Sequence, residues 1–363
     1  MKKLCCIFNY APHYRKSIYK KIDEEFDAQF YFSDMKSDIP KIDYSEFRKK
    51  PITIRDRYIW GTPLLWRKDI LLLPFKKFDY YLVIGDLALS YFPFIILCHL
   101  LGKKVYAWGH GNKAFIGRTK LWQKWFYNNC DIFFTYGENG RKRLIELGIP
   151  ENKLHVIYNS LNDEINPDEQ NCLKNNKIQN HFNNTLPTLL FIGRLTKVKQ
   201  LDWIIKAQHY HKQKNLNYNL LIIGDGPIKD ELIQLVDDKK MQDNVWFYGK
   251  CYNDDELASL IYNADLCVSP GNVGLTALHS MSYGTPVISN DDFETQMPEY
   301  ETIIVGKTGE LYKKDSFEDF CKKIEVWLSK DISREQIRQN CYDVINGKFN
   351  SKYQIHLLKS VIK

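Results

Sequence analysis

The chain has 363 residues, of which 44% are hydrophobic, 26% charged and 14% aromatic, and it carries a formal charge of +7. That length suggests two domains, each able to bury its own core, and the composition excludes a chain disordered throughout. The longest apolar run, residues 87–101 with Pro93 inside it, falls short of the roughly 20 residues that span a bilayer, so a buried helix or an interfacial segment is expected there.

The charge is uneven. Residues 1–150 hold 26 Lys and Arg against 15 Asp and Glu, and the remainder 25 against 29. A basic, aromatic-rich first half suits an anionic lipid surface or a phosphate-bearing ligand, or else is only the solvated surface of a Lys- and Asn-rich protein of bacterial type. Nine cysteines without a C-x2-C pair read as buried thiols of a reducing compartment. The apolar run in MKKLCCIFNY is too short for a secretory signal and reads as the first strand, so a cytoplasmic location is expected.

In chain order, strand 4–8 leads into the loop Asn9–Arg15 and an amphipathic helix to about Phe26. A loop after the first strand of an open α/β sheet borders the crevice, which places His13, Tyr14 and Arg15 to meet a ligand, an anion in the case of Arg15. The alternative is that Pro12 ends the strand and Tyr14 packs on the sheet. Residues 33–78, with Tyr58, Trp60 and Trp66, show no clean period, and short strands and mobile binding loops are expected. Strands at 80–84, 105–108, 132–136 and 154–157 then alternate with helical patterns at 87–101, 119–129 and 138–147. Such alternation means a parallel, doubly wound sheet. His110, between Gly109 and Gly111 at a strand end, is either a structural hydrogen-bonder or a ligand contact. Residues 161–187 are Asn-rich without apolar periodicity and read as a linker.

The second half repeats the alternation, with strands at 188–192, 219–223, 245–248, 265–268 and 286–289 and helices at about 200–212, 228–237, 254–262 and 275–283. Helices 317–328 and 333–362 follow. Arg194 and Lys199 lie where one strand gives way to a helix, and the loop Gly271, Asn272, Val273, Gly274 opens the helix that begins with Leu275 and Thr276. Two cations and a helix N-terminus can clamp a diphosphate from two sides. Tyr248, beside Lys250, could stack on a base or simply complete the core.

Gly193-Arg194-Leu195 with Lys199, then LLIIGDGP (220–227), VWFYG (245–249), ADLCVSP (264–270) and GLTALHSMSYGTPVI (274–288) resemble, in order and spacing, the donor domain of the retaining glycosyltransferases of family 4. A weaker echo reaches back to FTYGENGRKRLIELG and KLHVIYN. The resemblance implies an α/β GT-B fold of two Rossmann-like domains facing a central cleft. Residues 1–160 would bind the acceptor, 161–187 link the domains, 188–345 bind the donor, and 346–363 cross back as a helix. It implies sugar transfer from a nucleotide-diphosphate sugar to a saccharide or lipid-linked acceptor, with catalytic roles for Arg194, Lys199 and His110. Gly193, the 271–276 loop, Tyr248 and Lys250 would hold the donor, and His13, Tyr14 and Arg15 the acceptor. One departure stands out: the family's E-x7-E pair falls on Gly271 and His279, and His279 can still bond a ribose hydroxyl. With no D-x-D triplet, no metal or cofactor is expected, nor a nucleic-acid partner. A nucleotide-binding protein without transferase activity, and a sugar nucleotide epimerase, are the alternatives.

Overall fold

The computed structural model describes residues 1–35, 37, 39–59, 65–85, 88–111, 119–161 and 163–362; Trp60 and Leu87 lie outside them. It divides into one unit of residues 1–163 and 348–363 and another of residues 164–347.

Unit one is built on a parallel sheet in the order β3-β2-β1-β6-β7-β8-β9. The strands are β1 (Lys3–Phe8), β2 (Asp27–Ser33), β3 (Ile52–Ile54), β6 (Tyr80–Ile84), β7 (Lys104–Gly109), β8 (Ile132–Thr135) and β9 (Leu154–Val156); β4 (Arg57–Tyr58) and β5 (Leu65–Trp66) form a separate antiparallel pair. Alternate residues of β1 serve opposite faces: Cys5 and Ile7 enter one core, Leu4, Cys6 and Phe8 the other. Both faces are covered, which is why these strands read as continuous apolar runs. The stretch 33–78, which shows no period, is pinned from inside. Arg67 is buried, with Nε 2.9 Å from Asp56 Oδ1 and a guanidinium nitrogen 2.9 Å from Tyr91 Oη.

Unit two has six parallel strands in the order β12-β11-β10-β13-β14-β15. They are β10 (Thr188–Ile192), β11 (Asn219–Ile223), β12 (Val245–Gly249), β13 (Leu266–Ser269), β14 (Val287–Asn290) and β15 (Gly309–Tyr312). Helices Asp254–Asn263 and Phe317–Leu328 start on side-chain caps that satisfy otherwise unpartnered amides. Asn253 accepts from the Glu256 amide at 3.0 Å and Ser316 from that of Asp319 at 3.2 Å.

Two sequence expectations change. Residues 161–187 are not an unpacked linker: helices Pro167–Gln170 and Lys177–Phe182 form there, and Ile178 and Phe182 are buried in the core of unit two. The strands β2 and β15 were not expected. β2 follows helix Lys16–Glu25 after Phe26 alone, leaving no room for a turn signal, and β15 is four residues long.

Helix Ser351–Val361 packs on helix Lys16–Glu25 of unit one and buries Ile355 and Leu358 in its core. Asn350 caps it through the Tyr353 amide at 2.8 Å, and Gln354 donates to the Tyr158 carbonyl at 2.8 Å. Leu358→Ala should therefore destabilise unit one by about 2–5 kcal/mol, the usual result of emptying a buried leucine site. Denaturant unfolding followed by circular dichroism would measure it, and a loss under about 0.5 kcal/mol, the range of an exposed site, would show that this helix is not part of the core.

Candidate functional site

In unit two, β10 and β13 are sheet neighbours whose chains leave in opposite directions, to β11 and to β14. Their following loops diverge and leave a crevice at the strand ends, where ligands of such sheets collect. Both loops carry the residues singled out above. The first runs from Gly193 through the turn Lys197–Lys199; the second runs from Pro270 to Gly274, the N-cap of helix Leu275–Ser282.

Three hydrogen bonds tie the loops together. Lys199 Nζ donates to the Asn272 carbonyl at 2.6 Å, the Gly271 amide donates to the Lys199 carbonyl at 3.1 Å, and Thr276 Oγ1 donates to the Ile192 carbonyl at 3.1 Å. The close approach explains Gly271. A Cβ there would overlap the Val198 carbonyl oxygen and come within 2.8 Å of Lys199 Cα, so this backbone leaves no room for a side chain at position 271.

The loop is also held from beneath by residues that sequence patterns did not flag. Gln296 accepts from the Val273 amide at 2.7 Å and donates to Ser289 Oγ at 2.9 Å and to the Asn290 carbonyl at 3.0 Å. Asn290 donates to the Gly271 carbonyl at 2.9 Å, Ser289 to the Ser269 carbonyl at 2.8 Å, and Tyr312 Oη to the Pro270 carbonyl. These are single polar residues at the ends of β14 and β15 and just beyond, and no spacing rule marks them.

The bonding also narrows the donor set. The Val273 amide and the Thr276 hydroxyl, both in the loop expected to hold the donor, already have acceptors within the protein. The amides of Gly274, Leu275 and Thr276 have no acceptor among the described residues, as at the start of any helix. Arg194 is exposed on the first loop. Burial pulls the Lys199 ammonium below the usual lysine range, while the nearby Cys267 and the buried Glu299 pull it up. Glu299, on the turn Pro298–Thr302, was not foreseen.

The remaining donor candidates are more dispersed. His279 is half-buried on helix Leu275–Ser282, its ring 5.7 Å from that of Tyr283. Tyr248 is the penultimate residue of β12, two strands from β10 or about 10 Å across the sheet. Lys177 Nζ lies 5.3 Å from its ring centroid and 3.4 Å from its hydroxyl, so one face is already engaged. Lys250 pairs with Asp225 at 3.5 Å.

Unit one has its own switch point, between β1 and β6, and a cavity of about 670 Å³ opens there. Tyr10, Tyr14, Arg15, His110, Tyr127 and Tyr136 are among the residues lining it, whereas His13 is exposed with its ring against the edge of Tyr14. The Arg15 guanidinium lies 5.4 Å from the Trp108 ring and 5.0 Å from that of Tyr136, whose hydroxyl accepts from it. Among the described residues no carboxylate forms an ion pair with Arg15. The glycines beside His110 have a steric reason: a Cβ on Gly111 would lie 2.9 Å from the Gly140 carbonyl oxygen, and one on Gly140 would lie 2.6 Å from that of His110.

The chain matches known glycosyltransferases along most of its length. Residues 174–344 match the group 1 glycosyl transferases and residues 32–165 match Glycosyltransferase Family 4. The chain is 27% identical over 264 residues to an "Uncharacterized 41.2 kDa protein in cps region" of Klebsiella pneumoniae, covering 69% of this chain and 68% of that one. It is 30% identical over 150 residues, 39% of each chain, to the O-antigen biosynthesis glycosyltransferase WclY of Escherichia coli. The fold superimposes with a TM-score of 0.73, 13% identity and full coverage of both chains on Anabaena Alr3699/HepE, solved in complex with UDP.

The steric reading of Gly271 is open to test. Gly271→Glu, which forces a side chain into this contact, should lower both the melting temperature and the affinity for nucleoside diphosphates. Wild-type values in calorimetry for both would contradict the crowding at this loop.

Proposed function

The chain belongs to glycosyltransferase family 4 and is a glycosyltransferase of the GT-B fold, and from that membership we propose how it acts: it moves a sugar from a nucleoside-diphosphate donor to an acceptor hydroxyl with retention at the anomeric carbon. The donor binds unit two. The observation that carries this reading is the bond from Lys199 to the Asn272 carbonyl, which holds a cation at the entrance of a helix whose first amides are uncommitted. Family members are generally held to let the acceptor oxygen attack on the leaving-group side. The bond from the anomeric carbon to the β-phosphate oxygen breaks, its electron pair stays on that oxygen, and a phosphate oxygen takes the acceptor's proton.

Charge therefore grows on the diphosphate. Arg194, Lys199 and the amides of Gly274, Leu275 and Thr276 are suited to meet it, and fixed donors do so without reorganising. Val273, Gly271 and Asn272 shape the loop. His279 is a ring that suits a ribose hydroxyl, and Tyr248 and Lys250 border the base. No protein cofactor enters this scheme.

The acceptor binds unit one, in the tyrosine-lined cavity beside His110. Tyrosine faces suit the apolar faces of a sugar, and Arg15 suits an acidic group on it. The likeness to an O-antigen glycosyltransferase supports a saccharide or lipid-linked saccharide of a bacterial surface polymer, extended at the inner face of the membrane.

Incubation with UDP, GDP and ADP sugars and a panel of acceptors, read by mass spectrometry, tests the reaction; no transfer or donor hydrolysis with any of them would refute it. Arg194→Ala and Lys199→Ala should each lower kcat about 10²- to 10³-fold, the usual loss on removing one fixed donor to a developing anion. Rates within threefold of wild type in both would remove these cations from the reaction. A lysine loses its charge as pH rises through its pKa, and Glu299 is one of the groups that raise that pKa for Lys199. Glu299→Gln should therefore move the alkaline limb of kcat/KM to lower pH. A limb that stays in place or moves up would dissociate Glu299 from Lys199.

A further inference from the structure

The helix Tyr91–Leu100 of unit one turns a single strongly polar residue outward, His99 near its end. Tyr91, Phe94, Ile95 and Cys98 pack into the core, yet the outward residues Phe92, Ile96, Leu97 and Leu100 are apolar too. A surface helix normally turns polar residues to water. At ten residues this one is too short to cross a bilayer, and no helix among the described residues is long and apolar enough to do so.

Its neighbours extend the same face. The turn Lys68–Phe75 packs on one side of it and exposes Leu72 and Phe75. Helix Thr119–Asn129 packs on another and exposes Leu121 and Trp122. Phe92 joins the two helices, stacked on Trp125 with ring centroids 4.2 Å apart and edge-on to Trp122 at 4.6 Å. Leu72, Leu100 and Leu121 keep 70%, 76% and 76% of their surface in contact with solvent. Large apolar side chains left exposed on a helix and on the two segments packed against it mark an interaction surface.

The charges around it identify the partner. Lys68, Lys76, Lys77, Lys104 and Lys124 are exposed on these segments and the turns that follow them. Of the acids there, Asp131 is paired with Lys104 at 2.8 Å and His99 at 3.2 Å, which leaves Asp69 and Asp79 on the rim against the other four lysines. Unit one as a whole holds 31 Lys and Arg against 17 Asp and Glu. An apolar centre with an indole at its edge and a lysine rim complements a bilayer of anionic lipid: aliphatic chains meet the acyl region, tryptophan sits at the headgroup level, and lysines meet phosphate.

We propose that the face formed by residues 68–77, 91–104 and 121–125 docks this protein on the surface of an anionic membrane. Helix Thr119–Asn129 carries Leu121 and Trp122 of that face and Tyr127 of the cavity wall. The lipid-linked arm of the proposed function rests on such a surface, but docking can be measured with neither substrate present.

The test is sedimentation of the full chain with vesicles of phosphatidylcholine alone and of phosphatidylcholine with 30% phosphatidylglycerol. Wild type should bind the anionic vesicles at least tenfold more tightly than the neutral ones, and salt should weaken binding. Leu100→Glu/Leu121→Glu should lower anionic-vesicle binding at least tenfold with an unchanged melting temperature. Leu72→Glu/Phe75→Glu, on a different segment, should do the same and covers a failure of the first variant to fold. Absence of wild-type binding, equal binding to both vesicles, or variants that bind like wild type would each overturn the proposal. So would a dimer, seen by light scattering, that the same substitutions dissolve, since the face would then belong to a second copy. Nucleotide affinity measured on the same samples reports on the transfer reading separately.

Discussion

The ammonium of Lys199 resting on the carbonyl of Asn272 is the constraint on which the donor site depends. It fixes the distance between two loops that the sheet topology would otherwise let diverge, and it brings them close enough that position 271 has no space for a side chain. A flexible loop would have to be ordered each time a diphosphate arrived. Here Ser289, Asn290, Gln296 and Tyr312 hold the loop carbonyls in place before any ligand is present, and such preorganisation is what makes fixed dipoles effective against a developing anion.

The two units solve opposite electrostatic problems. Unit two holds 20 Lys and Arg against 27 Asp and Glu, yet it carries the site proposed for an anionic donor. Its overall field does not favour such a ligand, so selectivity has to come from a few cations at short range and from oriented amides. Unit one is strongly basic, and its field acts at longer range on anything anionic near its surface, although salt limits that reach to about 10 Å. Affinity through local geometry and attraction through net charge are thus assigned to different halves of one chain.

Much of this was legible in the sequence, for identifiable reasons. Parallel strands covered on both faces leave unbroken apolar runs such as LLFI and LLII, so nearly all of the sheet of unit two could be read directly. Lys199, Gly271 and the 271–276 loop lay in register with a family pattern. What stayed hidden has no periodic signature. β2 merges with the helix before it, and Arg67 is a buried cation whose partner Asp56 lies in a stretch without rhythm. Gln296 and Glu299 act through contacts that no spacing encodes. Nor does any spacing show that the Val273 amide and the Thr276 hydroxyl already have acceptors inside the protein.

The chain leaves unit one after Asp163 and rejoins it at Lys348, where Asp163 itself accepts from both Ser17 and Ser351. Unit two is therefore an uninterrupted insertion within unit one. During synthesis on the ribosome all of residues 164–347 emerge before the helix Ser351–Val361 that completes the other core, so the inserted unit can fold first. Until then the core of its host lacks Ile355 and Leu358, so unit one closes only after the inserted unit has been made.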